Sequence, residues 1–150
     1  MEALNRVPST HLEGIKSITE DPTLDVLGLC ITDIETKTSE ICLHPNAKDD
    51  SLVLLHEVGH HVLARYSSIL DLKALERDQV TFAKASWTPL DGLLTSDALE
   101  DFEEFFADAY AVWALFPKAR PLFRENFPGT AMILSRLFQE SNCDKIKEEQ

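Results

Sequence analysis

Two histidines flank a glutamate in the stretch His56-Glu57-Val58-Gly59-His60. The histidines are four residues apart, so on a helix their side chains are offset by about 40° and lie one above the other on the same face. Two neutral imidazoles presented in this way can bind one Zn²⁺ ion. Glu57 lies about 100° around the helix, where it can accept a proton from a water bound to the metal. The spacing therefore predicts a zinc site with Glu57 as general base.

These histidines also have a purely structural interpretation. The helix that carries them, predicted from about Leu52 to Tyr66, is apolar on most sides and is expected to be a central core helix. Polar groups buried in such a helix need partners, and backbone carbonyls or water would serve as well as a metal. We favour the metal site. The other three histidines, His11, His44 and His61, are interpreted as structural or surface residues.

A catalytic zinc usually has three protein ligands and an open position. No third histidine follows at the short spacing HExxHxxGxxH, so a downstream carboxylate is needed. The richest source is a helix predicted from about Ala98 to Phe116, capped by Ser96 or Asp97. A solvated acidic face would explain its carboxylates equally well, but their mutual repulsion, which a dication would relieve, favours a metal. The acidic stripe, within about 100° on the helix, comprises Asp97, Glu100, Asp101, Glu104 and Asp108.

The two segments 56–60 and 104–108, HEVGH and EFFAD, together resemble a known pattern. It is the HExGH plus EFFAE pattern of the gluzincin metallopeptidases related to the anthrax lethal factor catalytic domain, which the Pro-Pro endopeptidases share. The likeness extends over roughly Leu12 to Phe116, including a hairpin before the zinc helix. The resemblance implies a minimal, gluzincin-like zincin catalytic domain.

Carried over by position, the resemblance implies a role for each matching residue. Glu104 would be the third zinc ligand beside His56 and His60, and Glu57 would be the base. Asp108, where the family has Glu, would brace one of the ligand histidines.

The donor that stabilises the oxyanion of the tetrahedral intermediate is unassigned. The family's toxin member has a catalytic Tyr seven residues before the ligand Glu, and this chain has Asp97 there. Tyr66, Tyr110 or a residue of the loop from Trp87 to Thr95 are the alternatives.

The residues thus predict a small zinc-dependent endopeptidase that hydrolyses a peptide or an exposed loop. A zinc-bearing binding or regulatory module with little or no activity is the first alternative, favoured by the missing Tyr. The second is a structural protein whose HExxH motif is accidental.

The candidate site residues must be positioned by strands and helices. A sequence pattern of strands first and helices after indicates an α+β fold of one domain, residues 1–150. A short turn at 8–10, which can start a brief helix, precedes the strands. The strands are expected at 15–20, 26–34 and 39–43 and form a small antiparallel sheet with a hairpin at 35–38. Helices follow at about 52–66, with N-caps offered by residues 49–51, at 71–86, which Asp71 can cap, and at 98–116, 121–126 and 130–142. Residues 143–150 are expected to be a frayed tail.

Composition narrows the function further. The formal net charge of −12 over 150 residues makes a nucleic-acid partner improbable and favours substrates with basic flanking residues. No apolar run approaches the length of a membrane span, so no membrane role is expected. No signal peptide is visible, and the three cysteines Cys30, Cys42 and Cys143 form no CxxC pair, so a cytoplasmic protein is the default expectation. Cys30 and Cys42 are expected on neighbouring strands and are interpreted as buried apolar thiols in preference to a disulfide or metal pair. A protein secreted without a cleavable signal would show the same sequence features.

Overall fold

The computed structural model describes the backbone of residues 2–149 and the side chains through position 139. Three strands precede the helical part, which confirms the α+β prediction: β1 (Ile15–Glu20), β2 (Gly28–Asp33), β3 (Thr38–Leu43), α1 (Ser51–Tyr66), α2 (Leu72–Lys84), α3 (Phe102–Leu115), α4 (Arg120–Asn126) and α5 (Pro128–Glu149). Short 3₁₀ turns connect them, at Glu2–Arg6, Ser9–Leu12, Pro45–Ala47, Ser96–Leu99 and Pro117–Ala119. The side chains of the predicted frayed tail, 143–150, lie outside the described residues, so fraying there stays a prediction.

The sheet has the order β1-β3-β2. The predicted hairpin of β2 and β3 is antiparallel, with Gly28 opposite Leu43 and Asp33 opposite Thr38. β1, however, pairs with β3 in parallel, so the sheet is mixed and the prediction of an antiparallel sheet was wrong for β1. The reason is the connection 21–27, which carries the chain to the far edge, so that β3 returns between the other two strands. β2 is therefore left as an edge strand.

Helix α1 lies between the sheet and α3 and packs on both. Asp50 caps it, its carboxylate accepting hydrogen bonds from the amides of Leu52 (3.0 Å) and Val53 (3.3 Å). Five of its apolar side chains are almost completely buried, as expected of a core helix, whereas Leu52 in its first turn is exposed: Leu54, Leu55, Val58, Val62 and Leu63 are the buried ones.

Gly59 allows α1 and α3 to approach closely. A Cβ atom at this position would lie 3.0 Å from Ala107 Cα and 3.2 Å from the Ala107 carbonyl oxygen, both on the α3 backbone. Helix axes approach this closely only where the contact residue is small. The glycine therefore sets the distance between the helix with the two histidines and the helix with the acidic residues.

Gly59→Ala is expected to destabilise the fold by about 1–3 kcal/mol, because backbone atoms of α3 must move to admit the methyl group. Urea denaturation of the two proteins measures the difference. A loss below about 0.5 kcal/mol would show that the helices separate easily and that their spacing does not depend on the glycine.

Helix α3 begins later than predicted. Asp101 is its N-cap, and the Asp101 carboxylate accepts a hydrogen bond from the Glu104 amide at 2.8 Å. The residues proposed as caps, Ser96 and Asp97, belong instead to the 3₁₀ turn Ser96–Leu99. Both Asp97 and Asp101 are followed three residues later by a glutamate, so this spacing does not choose between them, and the cap is Asp101 because its carboxylate accepts from a helical amide. Asp97 and Glu100 therefore do not share a helix with Glu104, and the predicted stripe is interrupted.

α2 and α4 match the predicted helices closely, whereas α5 continues past the predicted end at 142 to Glu149. Asp71 caps α2 as predicted, accepting from the Ala74 amide at 3.1 Å. The helical core is aromatic, with fully buried side chains of Phe105, Phe106, Tyr110, Trp113, Phe123 and Phe127. Within the described residues, no helix combines the length and the apolar character that crossing a bilayer demands.

Two of the cysteines lie on neighbouring strands, as predicted, and both are free thiols. Cys30 is paired opposite Ile41 and Cys42 opposite Leu29. Because adjacent residues point to opposite faces of a strand, the two thiols lie on opposite faces of the sheet. Both thiols were expected to be fully buried, but the structure shows them half-buried. The side chain of Cys143 lies outside the described residues.

Candidate metal centre

Donor atoms from α1 and α3 converge at one point. His56 Nε2 and His60 Nε2 are 3.2 Å apart, so the two imidazoles share one face of α1. The Glu104 carboxylate faces both rings, with Oε2 at 2.9 Å from His56 Nε2 and Oε1 at 3.2 Å from His60 Nε2. Two imidazole nitrogens and one carboxylate thus form a compact triangle.

The size of this triangle fits a tetrahedral metal ion. Ligand atoms about 2.0–2.1 Å from one tetrahedral zinc lie about 3.3 Å from each other. The two nitrogens are 3.2 Å apart, and each has one Glu104 oxygen at a similar distance, Oε2 at 2.9 Å from His56 and Oε1 at 3.2 Å from His60. Two imidazoles and one carboxylate are also a ligand set that catalytic zinc sites use.

Asp108 supports His56 from the opposite side of the ring. Asp108 is 5% exposed, and its Oδ1 accepts a hydrogen bond from His56 Nδ1 at 2.7 Å. Its other oxygen, Oδ2, accepts from the Thr95 amide at 2.7 Å and from the Thr95 hydroxyl at 2.6 Å. A proton held on Nδ1 directs the Nε2 lone pair of His56 toward Glu104 and His60.

The protein surrounds these histidines with negative charge. Burial by itself lowers the pKa of His56, but hydrogen bonds to Asp108 and Glu104 outweigh it and raise the pKa to about 10. Hydrogen bonds from His56 and His60 hold the pKa of Glu104 far below its ordinary value. A site that stabilises a cationic ring so strongly without a metal is one in which a metal cation can replace the protons.

Glu57 lies beside the triangle in a different environment. It is 5% exposed, and burial raises its pKa above the ordinary value for a glutamate. The β2 backbone makes room for it at Gly28, where a Cβ atom would lie 3.0 Å from Glu57 Cγ. A carboxylate with a raised pKa is a better proton acceptor near neutral pH.

Either glutamate could be considered as the oxygen ligand. His56, Glu57 and His60 form a group that could hold a metal ion, with potential ligand atoms within 4.8 Å of one another. Glu57 Oε1, however, is 3.9 Å from His56 Nε2, whereas Glu104 contacts both rings at 3.2 Å or less. The shorter distances and the bridging position favour Glu104 as ligand and leave Glu57 free to move a proton.

The triangle opens into a cleft of about 700 Å³ between β2, α1 and the segment before α3. Apolar side chains line one wall, among them Leu27, Leu29 and Val53. The connection before α3 and the first turn of α3 contribute Leu93, Thr95, Asp97 and Glu103 to the lining. The cleft places the triangle, Glu57 and a sheet edge around one space that could hold a peptide.

The structure distinguishes between the oxyanion donors considered from sequence. Tyr110 is buried, and its hydroxyl lies 2.8 Å from His11 Nδ1. The Tyr66 hydroxyl donates to the Thr10 carbonyl at 3.5 Å. Neither tyrosine lines the cleft, whereas the loop contributes Leu93 and Thr95. Both tyrosines are therefore excluded in this conformation.

The acidic residues divide into two groups. Asp97, Glu104 and Asp108 line the cleft, whereas Glu100 and Asp101 are exposed outside its lining. The late start of α3 explains this division, because Asp101 turns its carboxylate to the Glu104 amide.

The three other histidines have structural surroundings. His11 and His61 are buried, and burial lowers the pKa of both, that of His11 to about 4. His61 Nδ1 contacts the Ser39 hydroxyl at 2.6 Å and Nε2 contacts the Glu13 carbonyl at 2.7 Å. His44 accepts a hydrogen bond from the Asn46 amide at a 3₁₀ turn. Each ring thus has a role in the backbone architecture away from the cleft.

No protein-family model matches the chain, and no curated protein matches it either.

Proposed function

We propose that the chain is a small zinc-dependent endopeptidase in which His56, His60 and Glu104 hold the metal. The observation that carries the proposal is the triangle of donor atoms on two packed helices, with a separate buried carboxylate beside it in an open cleft. Structural ion pairs have no need of the cleft or of the extra carboxylate. The resemblance of the two motifs to the gluzincin pattern supports the same activity.

Zinc in this triangle would polarise the scissile carbonyl and lower the pKa of a nearby water. The chain supplies the proton transfers. The Glu57 carboxylate accepts a proton from the attacking water and then delivers it to the amine nitrogen that leaves. Its burial restricts the movement of the side chain and keeps the carboxylate beside the triangle. Asp108 holds the His56 ring in one orientation during both steps.

The edge strand β2 provides a place for an extended substrate. Gly28, Leu29 and Cys30 of this strand line the cleft, and in the described part of the chain β3 is its one strand neighbour. An edge strand presents unpaired amide and carbonyl groups to which a peptide can add as a further strand. We infer that the substrate lies along β2 with its scissile bond beside Glu57, and that the apolar wall contacts its side chains.

Substrates with Lys or Arg near the scissile bond are expected to be cleaved best. Two neutral histidines and Glu104 leave a bound zinc with a net charge of +1, while Glu57, Asp97 and Glu103 add negative charge to the cleft. Such a field attracts cations and is screened over about 8 Å at physiological ionic strength. Asp97→Asn should therefore lower kcat/KM for basic peptides by several-fold and weaken its dependence on salt.

Glu100→Gln is the matched control, because Glu100 is an exposed acid on the same segment outside the cleft lining. It removes the same charge and should leave the preference unchanged. Equal effects of the two substitutions, or a preference for acidic flanks, would show that the field of the cleft plays no part in recognition.

Cleavage of a diverse peptide library by the zinc-loaded protein tests the proposed function. Zinc-dependent cleavage at a defined set of bonds is expected. A zinc-binding regulatory or binding module is the second candidate, favoured because none of the described residues lining the cleft is a tyrosine. Stoichiometric zinc with no cleaved peptide would favour that candidate, and absence of bound zinc would overturn both.

A further inference from the structure

Thr95 holds Asp108 with both of its hydrogen-bond donors. The Thr95 amide and hydroxyl reach Asp108 Oδ2 at 2.7 and 2.6 Å, and Oδ1 of the same carboxylate contacts His56 at 2.7 Å. The carboxylate is therefore fixed on both sides, and its rotation would break bonds to the loop and to the ring together. Asp108 can orient His56 only as well as Thr95 orients Asp108.

Local structure does not account for this use of the hydroxyl. Thr95 is the N-cap residue of the 3₁₀ turn Ser96–Leu99, yet its side chain makes no capping hydrogen bond there. It donates instead to a residue 13 positions later, and that residue is 5% exposed although Thr95 is exposed. A buried carboxylate oxygen without a hydrogen-bond partner is costly, so Thr95 both satisfies Oδ2 and fixes the orientation of Asp108.

Thr95 also belongs to the cleft wall. Leu93, Thr95 and Asp97 line the cleft from the connection between α2 and α3. The regular structure nearby consists of an isolated bridge between Asp91 and Leu94 and the short 3₁₀ turn. The bonds from Thr95 to Asp108 therefore tie this wall to α3, where Glu104 also lies.

From this geometry we propose that Thr95 is a positioning residue that couples metal binding to the order of the cleft wall at 93–97. The proposal rests on the metal site of the proposed function. The two hydrogen bonds from Thr95 keep Asp108 in the orientation that supports His56, so they strengthen metal binding. Metal binding and ordering of the cleft wall are two coupled equilibria, and such coupling is reciprocal. Metal binding therefore strengthens the bonds from Thr95 to Asp108 and orders the wall that contacts substrate.

The zinc affinity of Thr95 variants tests the first half. Thr95→Val removes the hydroxyl and keeps the shape, and it is expected to weaken zinc binding about 10-fold in competition with a chromophoric chelator. Thr95→Ser restores the hydroxyl and should bind zinc within about 3-fold of the original chain. Thr81→Val is the matched control, because the exposed Thr81 hydroxyl donates to the Arg77 carbonyl within α2.

Amide hydrogen exchange tests the second half. Zinc is expected to slow exchange of the amides at 93–97 by at least about 10-fold in the original chain and in Thr95→Ser. The slowing should be several-fold smaller in Thr95→Val, while the Thr81→Val protein behaves like the original. A purely structural role of Thr95 would change exchange equally with and without zinc. Circular dichroism of each variant shows that it is folded.

The outcomes separate this proposal from the one on which it rests. Zinc binding by the original chain, with unchanged affinity in Thr95→Val, would overturn the role of Thr95 alone. Exchange at 93–97 that does not respond to zinc would overturn the coupling. Failure of the original chain to bind zinc would overturn the proposed function as well.

Discussion

Replacing Glu57 with Gln is expected to lower kcat for peptide cleavage by at least about 10²-fold while zinc stays bound. Glutamine keeps the shape of the side chain and can form hydrogen bonds, but it cannot accept the proton from water. The Glu57 carboxylate is 5% exposed, and burial raises its pKa, so no solvent-exposed base replaces it easily. Its distance of 3.9 Å from His56 Nε2 means that zinc affinity should change little.

Steady-state kinetics and zinc content of the same preparation measure this effect. Glu76→Gln is a suitable control because Glu76 is exposed on α2, away from the cleft. It makes the same chemical change and should keep the original kcat. Full activity in zinc-loaded Glu57→Gln would remove Glu57 from the mechanism, and loss of zinc from that variant would identify Glu57 as a ligand.

Glu104→Ala is expected to weaken zinc binding by at least about 10²-fold, the second large effect. The Glu104 carboxylate is the oxygen corner of the triangle, at 2.9 and 3.2 Å from the two Nε2 atoms. Without it, two imidazoles remain as ligands, and a third protein ligand is normally needed. Competition with a chelator of known zinc affinity measures the loss.

Glu103→Ala is the matched control for this variant. Glu103 precedes Glu104 in α3 and lies about 100° around the helix, exposed at the rim of the cleft. Its removal subtracts the same charge and should change zinc affinity by less than about 3-fold. If Glu103→Ala proves the more damaging substitution, the assignment of the third ligand is off by one position.

Features that depend on short-range patterns were predictable from the sequence. The apolar periodicity around 56–60 predicted α1 closely, and a four-residue spacing on a helix is enough to bring His56 and His60 together. The caps Asp50 and Asp71 follow from local hydrogen bonding. The placement of Glu104 and Asp108 beside the histidines was suggested by resemblance of two motifs, because spacing along the chain says nothing about which helix faces α1.

Features that depend on tertiary contacts were not predictable. Nothing local determines that β1 joins β3 in parallel, since strand order depends on how the connection 21–27 crosses the sheet. Asp97 and Asp101 were both possible N-caps of α3, and in the structure Asp101 is the cap because its carboxylate accepts a hydrogen bond from the Glu104 amide. Thr95 was considered only as part of the loop that could supply an oxyanion donor, and its bond to Asp108 was not predictable because the two residues are 13 positions apart and on different elements.

Titration of the metal-free protein with zinc, while cleavage of one library peptide is followed, tests the central claim most directly. The account predicts that the rate rises in proportion to added zinc and reaches a plateau at one equivalent, as one triangle of His56, His60 and Glu104 requires. A rate that does not depend on zinc, or a site that fills with one equivalent while no peptide is cleaved, would contradict it.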